Sequence, residues 1–349
     1  MKRTFLCAVT AAVMFSVLAA WGAALAAMGE KAFRICAEGT AEEIVRAVKT
    51  RAISPRDTYA DGFSPLHIAA QYNADADAVS ALMDLGFSVN RRSRKGFTPL
   101  MCAALNPNPG VAERLIKAGT QFNRPDKYGD TALMYACRYA HGIGIVKALL
   151  DAGANVKAVN SFGQSPLMYA AMYNDDAGVT ALLIEHGAAD DRTDKDGRGA
   201  LFYASGYNRN PKVAGAIIDG AGGDPLARDA HGYTPLLFAV RNSAGWEIVR
   251  VLIEKGSDLE AVDPDGNTAL LLAVRFNPGP DVTAGLLDAG LSPYAKNGAG
   301  ADAFALIMEN PLLIGTYAYD YLAQIAFEDG TAFGDGGETS VAAEKQAAR

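Results

Sequence analysis

Residues 163–174 read Gly163-Gln164-Ser165-Pro166-Leu167-Met168-Tyr169-Ala170-Ala171-Met172-Tyr173-Asn174, and variants of this stretch recur along most of the chain. The opening glycine returns at Gly62, Gly96, Gly129, Gly163, Gly197, Gly232, Gly266 and Gly300, at intervals of 34, 33, 34, 34, 35, 34 and 34 residues. Spacing this regular is an internal repeat. After each of the first seven glycines come one variable residue, then Thr or Ser (Gly199 once), then Pro or Ala, then Leu and an Ala-rich apolar run. Ser64-Pro65-Leu66-His67-Ile68-Ala69-Ala70 is the fullest copy.

Each copy dictates one helix–turn–helix unit. A Thr such as Thr131 can cap the open N–H groups of a helix, and a Pro one residue later suits the first helical position. The first helix is expected to end at Asn73, Asn106, Asn174, Asn208 and Asn277, because Asn is the non-Gly residue that best tolerates the left-handed region. A second apolar pattern, such as Val146-Lys147-Ala148-Leu149-Leu150, stops at Gly153, and its counterparts stop at Gly187 and Gly256. That is a second helix with its terminating glycine. The polar stretch that follows carries Asp at a fixed place, Asp126, Asp194, Asp229 and Asp263, three residues before the next opening glycine. Asp there suits a tight hairpin loop.

These features resemble the ankyrin repeat family, whose signature is a period near 33 with T-P-L-H-x-A opening a helix–turn–helix. The resemblance spans roughly residues 30 to 327 and implies an all-α repeat solenoid of stacked units joined by hairpin loops. The family's His survives only at His67 and is Met101, Met134, Met168, Phe202, Leu237 and Leu271 elsewhere. A hydrogen-bonded His ladder is therefore expected to be absent, with apolar packing in its place. Most copies are one residue longer than the family mean, between the two helices, which is similar to a bacterial subtype.

The layout expected is a signal peptide at 1–26, an N-terminal cap at 27–60 and seven repeats over 61–299 starting near 61, 95, 128, 162, 196, 231 and 265. A C-terminal cap at 300–329 and a disordered tail at 330–349 follow. Lys2 and Arg3, an apolar run from Phe5 through Trp21, and Ala24-Leu25-Ala26 form the three parts of a secretory signal. Cleavage after Ala26 would place the protein in the periplasm or outside the cell; the competing reading is an uncleaved membrane anchor, since the run is long enough to span a bilayer. The formal charge of −7 becomes −9 once Lys2 and Arg3 are removed, which argues against nucleic acid as a partner. Cys7 leaves with the signal, and Cys36, Cys102 and Cys137 are too few and odd in number for a disulfide framework. Cys102 and Cys137 occupy small-residue positions and read as buried hydrophobes. Thr40-Ala41-Glu42-Glu43 forms a capping box for the second helix of the N-terminal cap.

No chemistry-bearing constellation emerges. His67, His141, His186 and His231 lie in different repeats, with no further metal ligand at matching helical spacing. Asp263-Pro264-Asp265-Gly266-Asn267 lacks the Glu a calcium loop needs twelve places on, where Val274 stands. Gly220, Gly222 and Gly223 lack the G-K-[ST] of a phosphate loop, so no cofactor or metal is expected. The reading is a non-catalytic, monomeric module that binds another protein. A membrane-tethered scaffold and an enzyme or metal-dependent protein with its site in the groove stand as alternatives.

In the ankyrin family targets usually touch the hairpin tips and the concave side of the first helices. By that resemblance the candidate contacts are Phe63, Phe97 and Tyr233, just after the opening glycine, and Tyr128 and Phe162, just before it. At the end of the first helix come Tyr72, Tyr139, Tyr173, Tyr207 and Phe276. This second series either packs over the lengthened turn or faces a partner. Charge is also uneven: one early hairpin holds Arg91, Arg92, Arg94 and Lys95. Later ones hold Asp190, Asp191, Asp194 and Asp196, then Asp258, Glu260, Asp263 and Asp265. These are solvated turns, or they match a partner of opposite polarity.

Overall fold

The computed structural model describes residues 30–139, 143–189 and 191–328. The signal segment, Cys7, His141, Asp190 and the tail lie outside the described residues. The chain divides into two compact units, residues 1–195 and 196–349. The described residues of both are helical and contain no strand.

Among the described residues unit 1 holds five helix pairs: α1 (Glu30–Glu38) with α2 (Ala41–Lys49), α3 (Pro65–Tyr72) with α4 (Ala76–Asp84), α5 (Pro99–Ala103) with α6 (Pro109–Lys117), α7 (Ala132–Tyr139) with α8 (Gly144–Asp151), and α9 (Pro166–Tyr173) with α10 (Ala177–Glu185). Unit 2 holds four: α11 (Ala200–Tyr207) with α12 (Pro211–Ala221), α13 (Pro235–Arg241) with α14 (Trp246–Glu254), α15 (Ala269–Phe276) with α16 (Pro280–Asp288), and α17 (Ala303–Ile307) with α18 (Tyr317–Glu328). Within each unit every first helix packs on the next first helix and every second helix on the next second helix. Each unit is thus an all-α repeat solenoid.

The first helices are apolar nearly all round because neighbours cover them on most sides. Leu66, Leu100, Leu133 and Leu167 in unit 1, and Leu201, Leu236 and Leu270 in unit 2, are fully buried. Each contributes about 1.5–3 kcal/mol by leaving water. The second helices are amphipathic and bury one stripe, for example Val146 and Leu149 of α8. Their starts are capped as the sequence requires: Thr98 Oγ1 accepts the Met101 N–H, and Thr40 and Glu43 form the reciprocal box at α2. Cys36, Cys102 and Cys137 are unpaired thiols in the core.

The asparagines do something other than expected. Asn174 has φ −112° and ψ 113°, and Asn73 and Asn277 are likewise extended, so none adopts the left-handed turn. Their side chains explain the choice. Asn106 Nδ2 donates to the carbonyls of Ala70 (3.0 Å) and Asn73 (2.8 Å) in the preceding repeat, while its Oδ1 accepts the Asn108 N–H (2.9 Å). Asn73, Asn174, Asn277 and Asn310 bond the repeat before them in the same way. An extended backbone aims the amide at the neighbour, and a buried ladder joins repeat to repeat. Ser243 occupies the same place in its copy, and there the chain does turn left-handed, with φ 63°.

The expected absence of a His ladder needs one amendment. His67 Nε2 donates to the Phe97 carbonyl of the next repeat at 3.0 Å, and Nδ1 accepts the Ser64 N–H at 3.1 Å. Burial holds this ring down at about 4, hence neutral. Where Met replaces His, its sulfur keeps the local half of that role: Met134 Sδ lies 3.5 Å from the Thr131 N and Met168 Sδ 3.4 Å from the Ser165 N.

Candidate functional site

The hairpin tips are built by one repeated device. The side chain three residues before the opening glycine accepts backbone N–H groups two and four residues on. Asp126 Oδ1 takes those of Tyr128 and Asp130, Asn160 Oδ1 those of Phe162 and Gln164, and Asp229 Oδ1 those of His231 and Tyr233. Each tip then bonds the next through its backbone: Arg94 N–H to Asp61, Lys127 to Lys95, Ser161 to Tyr128 and Lys195 to Phe162 in unit 1. In unit 2, Ala230 N–H bonds Asp196 and Gly298 bonds Asp265. The opening glycine permits this approach. Gly129 has φ 87°, and a Cβ there would stand 2.9 Å from the Asn160 Cα. The corresponding donor place between these two unit 2 contacts is Pro264, which has no N–H to give.

This turn sorts the candidate aromatics. Residues after the glycine run back toward the first helix, so Phe63 and Phe97 are only 5% and 3% exposed. Phe97 packs on Tyr135 with ring centroids 5.2 Å apart, and Phe63 lies 5.3 Å from the His67 ring. They are core residues, and as surface contacts they are withdrawn. Tyr233, the third of that group, is half-buried and accepts a hydrogen bond from Arg241 while donating to Asp263 at 3.3 Å. Residues before the glycine face outward. Phe162 is 39% exposed, with the Lys195 ammonium 5.8 Å from its ring centroid. Tyr128 is half-buried, with the Lys127 ammonium at 4.7 Å.

At the ends of the first helices Tyr72, Tyr139, Tyr173 and Tyr207 are all half-buried, each ring partly packed and partly open to solvent. Tyr72 packs on Phe33 at 5.6 Å and Tyr207 on Phe238 at 5.7 Å. In unit 1 the Arg138 guanidinium lies between two of them, 5.0 Å from the Tyr139 ring and 4.3 Å from that of Tyr173. In unit 2 the more exposed Phe276 faces Arg241 and Arg275 at 5.5 and 5.3 Å. Stacking of this kind restrains long cationic side chains, and Arg275 also meets Glu309 at 3.8 Å.

Beneath the unit 1 tips lies a polar network absent from the sequence reading. Asp126 Oδ2 accepts the Tyr135 hydroxyl at 3.0 Å, and Asp130 Oδ1 accepts the Tyr169 hydroxyl at 2.9 Å and the Asn160 amide at 2.8 Å. Burial pushes both carboxyls up, Asp130 to about 6, although these hydrogen bonds pull the other way. Tyr135 stacks on Tyr139 and Tyr169 packs on Tyr173, which ties the buried network to the outer aromatic row. The signal for it was Tyr six places after the opening glycine in consecutive copies, Tyr135 and Tyr169.

The charged tips differ between the units. Arg92 and Arg94 are exposed and Arg91 is half-buried in unit 1. In unit 2 Asp258, Glu260 and Asp265 are exposed, but Asp263 is buried and its carboxylate accepts the backbone N–H groups of Asp265 and Asn267. Asp263 therefore belongs to the turn and not to a charged surface. Among the described residues no group of three or more His, Cys, Asp or Glu could hold a metal ion, and no helix is long and apolar enough to cross a membrane.

A family model for ankyrin repeats matches residues 33–126, 66–160, 133–229 and 207–297. The chain belongs to the ankyrin repeat family. It is similar to the probable E3 ubiquitin-protein ligase XBOS31 of Oryza sativa subsp. japonica, 38% identical over 93 residues, which are 26% of this chain and 20% of that protein. It is also similar to protein phosphatase 1 regulatory subunit 27 of Homo sapiens, 28% identical over 93 residues, 27% of this chain and 60% of that protein. The mouse counterpart is 27% identical over the same length. The chain thus spans between a fifth and three-fifths of the length of these relatives.

Proposed function

We propose that this ankyrin repeat protein is a non-catalytic binding module that grips a protein partner with the tips and first-helix ends of unit 1. The observation that carries the reading is the outward pair Tyr128 and Phe162, with Phe162 39% exposed on a tip whose backbone is bonded to both neighbours. A large apolar side chain held on a rigid, hydrogen-bonded loop loses little entropy on binding, which is what an interface anchor requires. Arg138, fixed between Tyr139 and Tyr173, extends that surface. The family supports the reading, and so does a relative named as a regulatory subunit, a protein that acts through another protein. The pattern of residues 1–26 supports export, with a mature chain starting near Ala27; an intact-mass measurement on protein from the native host checks it.

Affinity capture from the native envelope fraction, compared between the wild type and Tyr128→Ala/Phe162→Ala, tests the surface. Each anchor is expected to carry about 2 kcal/mol, so the double variant loses capture while its unfolding midpoint barely moves. Phe97→Ala is the contrast: truncating that buried ring costs about 3–5 kcal/mol of folding. Undiminished capture by the stable double variant would refute the proposal.

A further inference from the structure

The two successive tips at residues 91–97 and 124–130 concentrate cations in a protein whose formal charge is −7. Arg91, Arg92, Arg94, Lys95, Arg124 and Lys127 stand there. The carboxylates beside them do little to cancel that charge. Asp126 and Asp130 are buried beneath the tips and committed to backbone, tyrosine and asparagine donors, and Asp61 meets Lys95 at 3.6 Å. Arg91, Arg92 and Arg124 are instead held by neutral acceptors. Arg91 donates to the Pro55 carbonyl (3.0 Å) and the Thr58 hydroxyl, Arg92 to the carbonyls of Gly96 (3.3 Å) and Pro125 (2.9 Å), and Arg124 to Gln121 Oε1 (2.9 Å).

A carbonyl or hydroxyl fixes a guanidinium in space and leaves its full charge and remaining N–H groups outward. Such a group is preorganised for a carboxylate, which it binds by paired, charge-assisted hydrogen bonds. The bond from Lys127 N–H to the Lys95 carbonyl, and that from Ser161 N–H to Tyr128, set the tips in a row, so the cations continue into the outward rings of Tyr128 and Phe162. We infer that this row binds an acidic peptide segment of a partner protein, its Asp and Glu side chains on the tip cations and an apolar side chain against Tyr128 and Phe162. The inference rests on the proposed binding function and adds the chemistry of what is bound. A protein of net negative charge repels a long phosphate backbone, whereas a short acidic segment meets only the basic tips.

The test uses the whole chain and fluorescence anisotropy at low and physiological salt. The probes are a fluorescein-labelled dodecapeptide of glutamates around a central phenylalanine and its counterpart with every glutamate replaced by glutamine. The acidic peptide is expected to bind at least tenfold more tightly than the neutral one and to weaken steeply with salt. Arg94→Gln/Lys127→Gln, which changes only exposed side chains, should lose tenfold or more; so should Arg92→Gln. Arg250→Gln should bind like the wild type, since that guanidinium is paired with Glu247 and Glu254 in unit 2. Equal affinity for the two peptides, or variants as tight as the wild type, overturns the inference. So does a twelve-nucleotide single-stranded DNA that binds more tightly than the acidic peptide, which marks a general polyanion site. A concentration-dependent dimer in sedimentation that the peptide disperses puts a second copy's acidic tips in the groove and also overturns it. If the peptides fail while Tyr128→Ala/Phe162→Ala still loses its captured partner, the binding surface stands and only the acidic character of the partner falls.

Discussion

A single amide decides how one repeat is joined to the next. Asn106 is wholly buried, supplies two carbonyls of the preceding repeat and accepts one N–H of its own turn. Asn106→Ala strands those groups away from water, at an expected cost of about 2–4 kcal/mol in urea unfolding. Asn106→Gly should be no better, because the backbone has no left-handed residue to relieve; recovery of stability in the Gly variant would show that the ladder is not what matters. The glycines separate two further effects. Gly129 and Gly153 share φ near 88°, but a Cβ at Gly129 would meet the next tip at 2.9 Å and one at Gly153 meets nothing within 4 Å. Gly153→Ala should cost about 1–2 kcal/mol from backbone strain alone. Gly129→Ala should cost clearly more, because the neighbouring tip must also move, and equal melting of the two variants would remove close approach as the reason for the opening glycine.

Within the helix pairs of unit 1, two buried groups titrate in opposite senses. Folding lowers His67 from 6.5 to about 4, so the unfolded chain takes a proton that the folded one refuses; stability from this group is full above pH 6.5 and is lost as pH falls toward 4. Folding raises Asp130 from 3.8 to about 6, so its contribution is present at low pH and is lost as pH rises through 6. Each amounts to about 3 kcal/mol across its window. They offset, and Asp126 leans the same way as Asp130. The wild type should therefore show a shallow profile between pH 4 and 6.5. His67→Met, the residue that other copies carry, should become less stable as pH rises through that window. Asp130→Asn should become more stable across the same window. Urea midpoints at pH 4, 5, 6 and 7 check both, and parallel profiles in all three proteins would show that these groups do not control the slope.

Taken whole, the molecule was most legible where structure is local. Thr98, Pro99 and Gly153 announce helix starts and stops through their own conformational limits, and the period of the opening glycine located the repeats. Legibility failed where one residue type serves two ends. Asn at a helix end can turn the chain or bridge to a neighbour, and nothing within a single copy shows the carbonyl that Asn106 reaches in the copy before it. Phe97 and Phe162 flank equivalent glycines and look alike as letters, yet the turn sends one into the core and the other outward. Asp130 is a plain variable residue until Asn160, at the far end of its own copy, and Tyr169, from the next, close around it. The row of tip-to-tip backbone bonds has a mechanical consequence as well. Those bonds run between neighbouring tips, so they share a load that pulls the tips apart, and at Pro264 unit 2 lacks the amide that would carry it. Stretched in an optical trap, unit 2 should tear first between the tips at His231 and Pro264, and Pro264→Ala, which restores a donor, should raise the force at which it gives way.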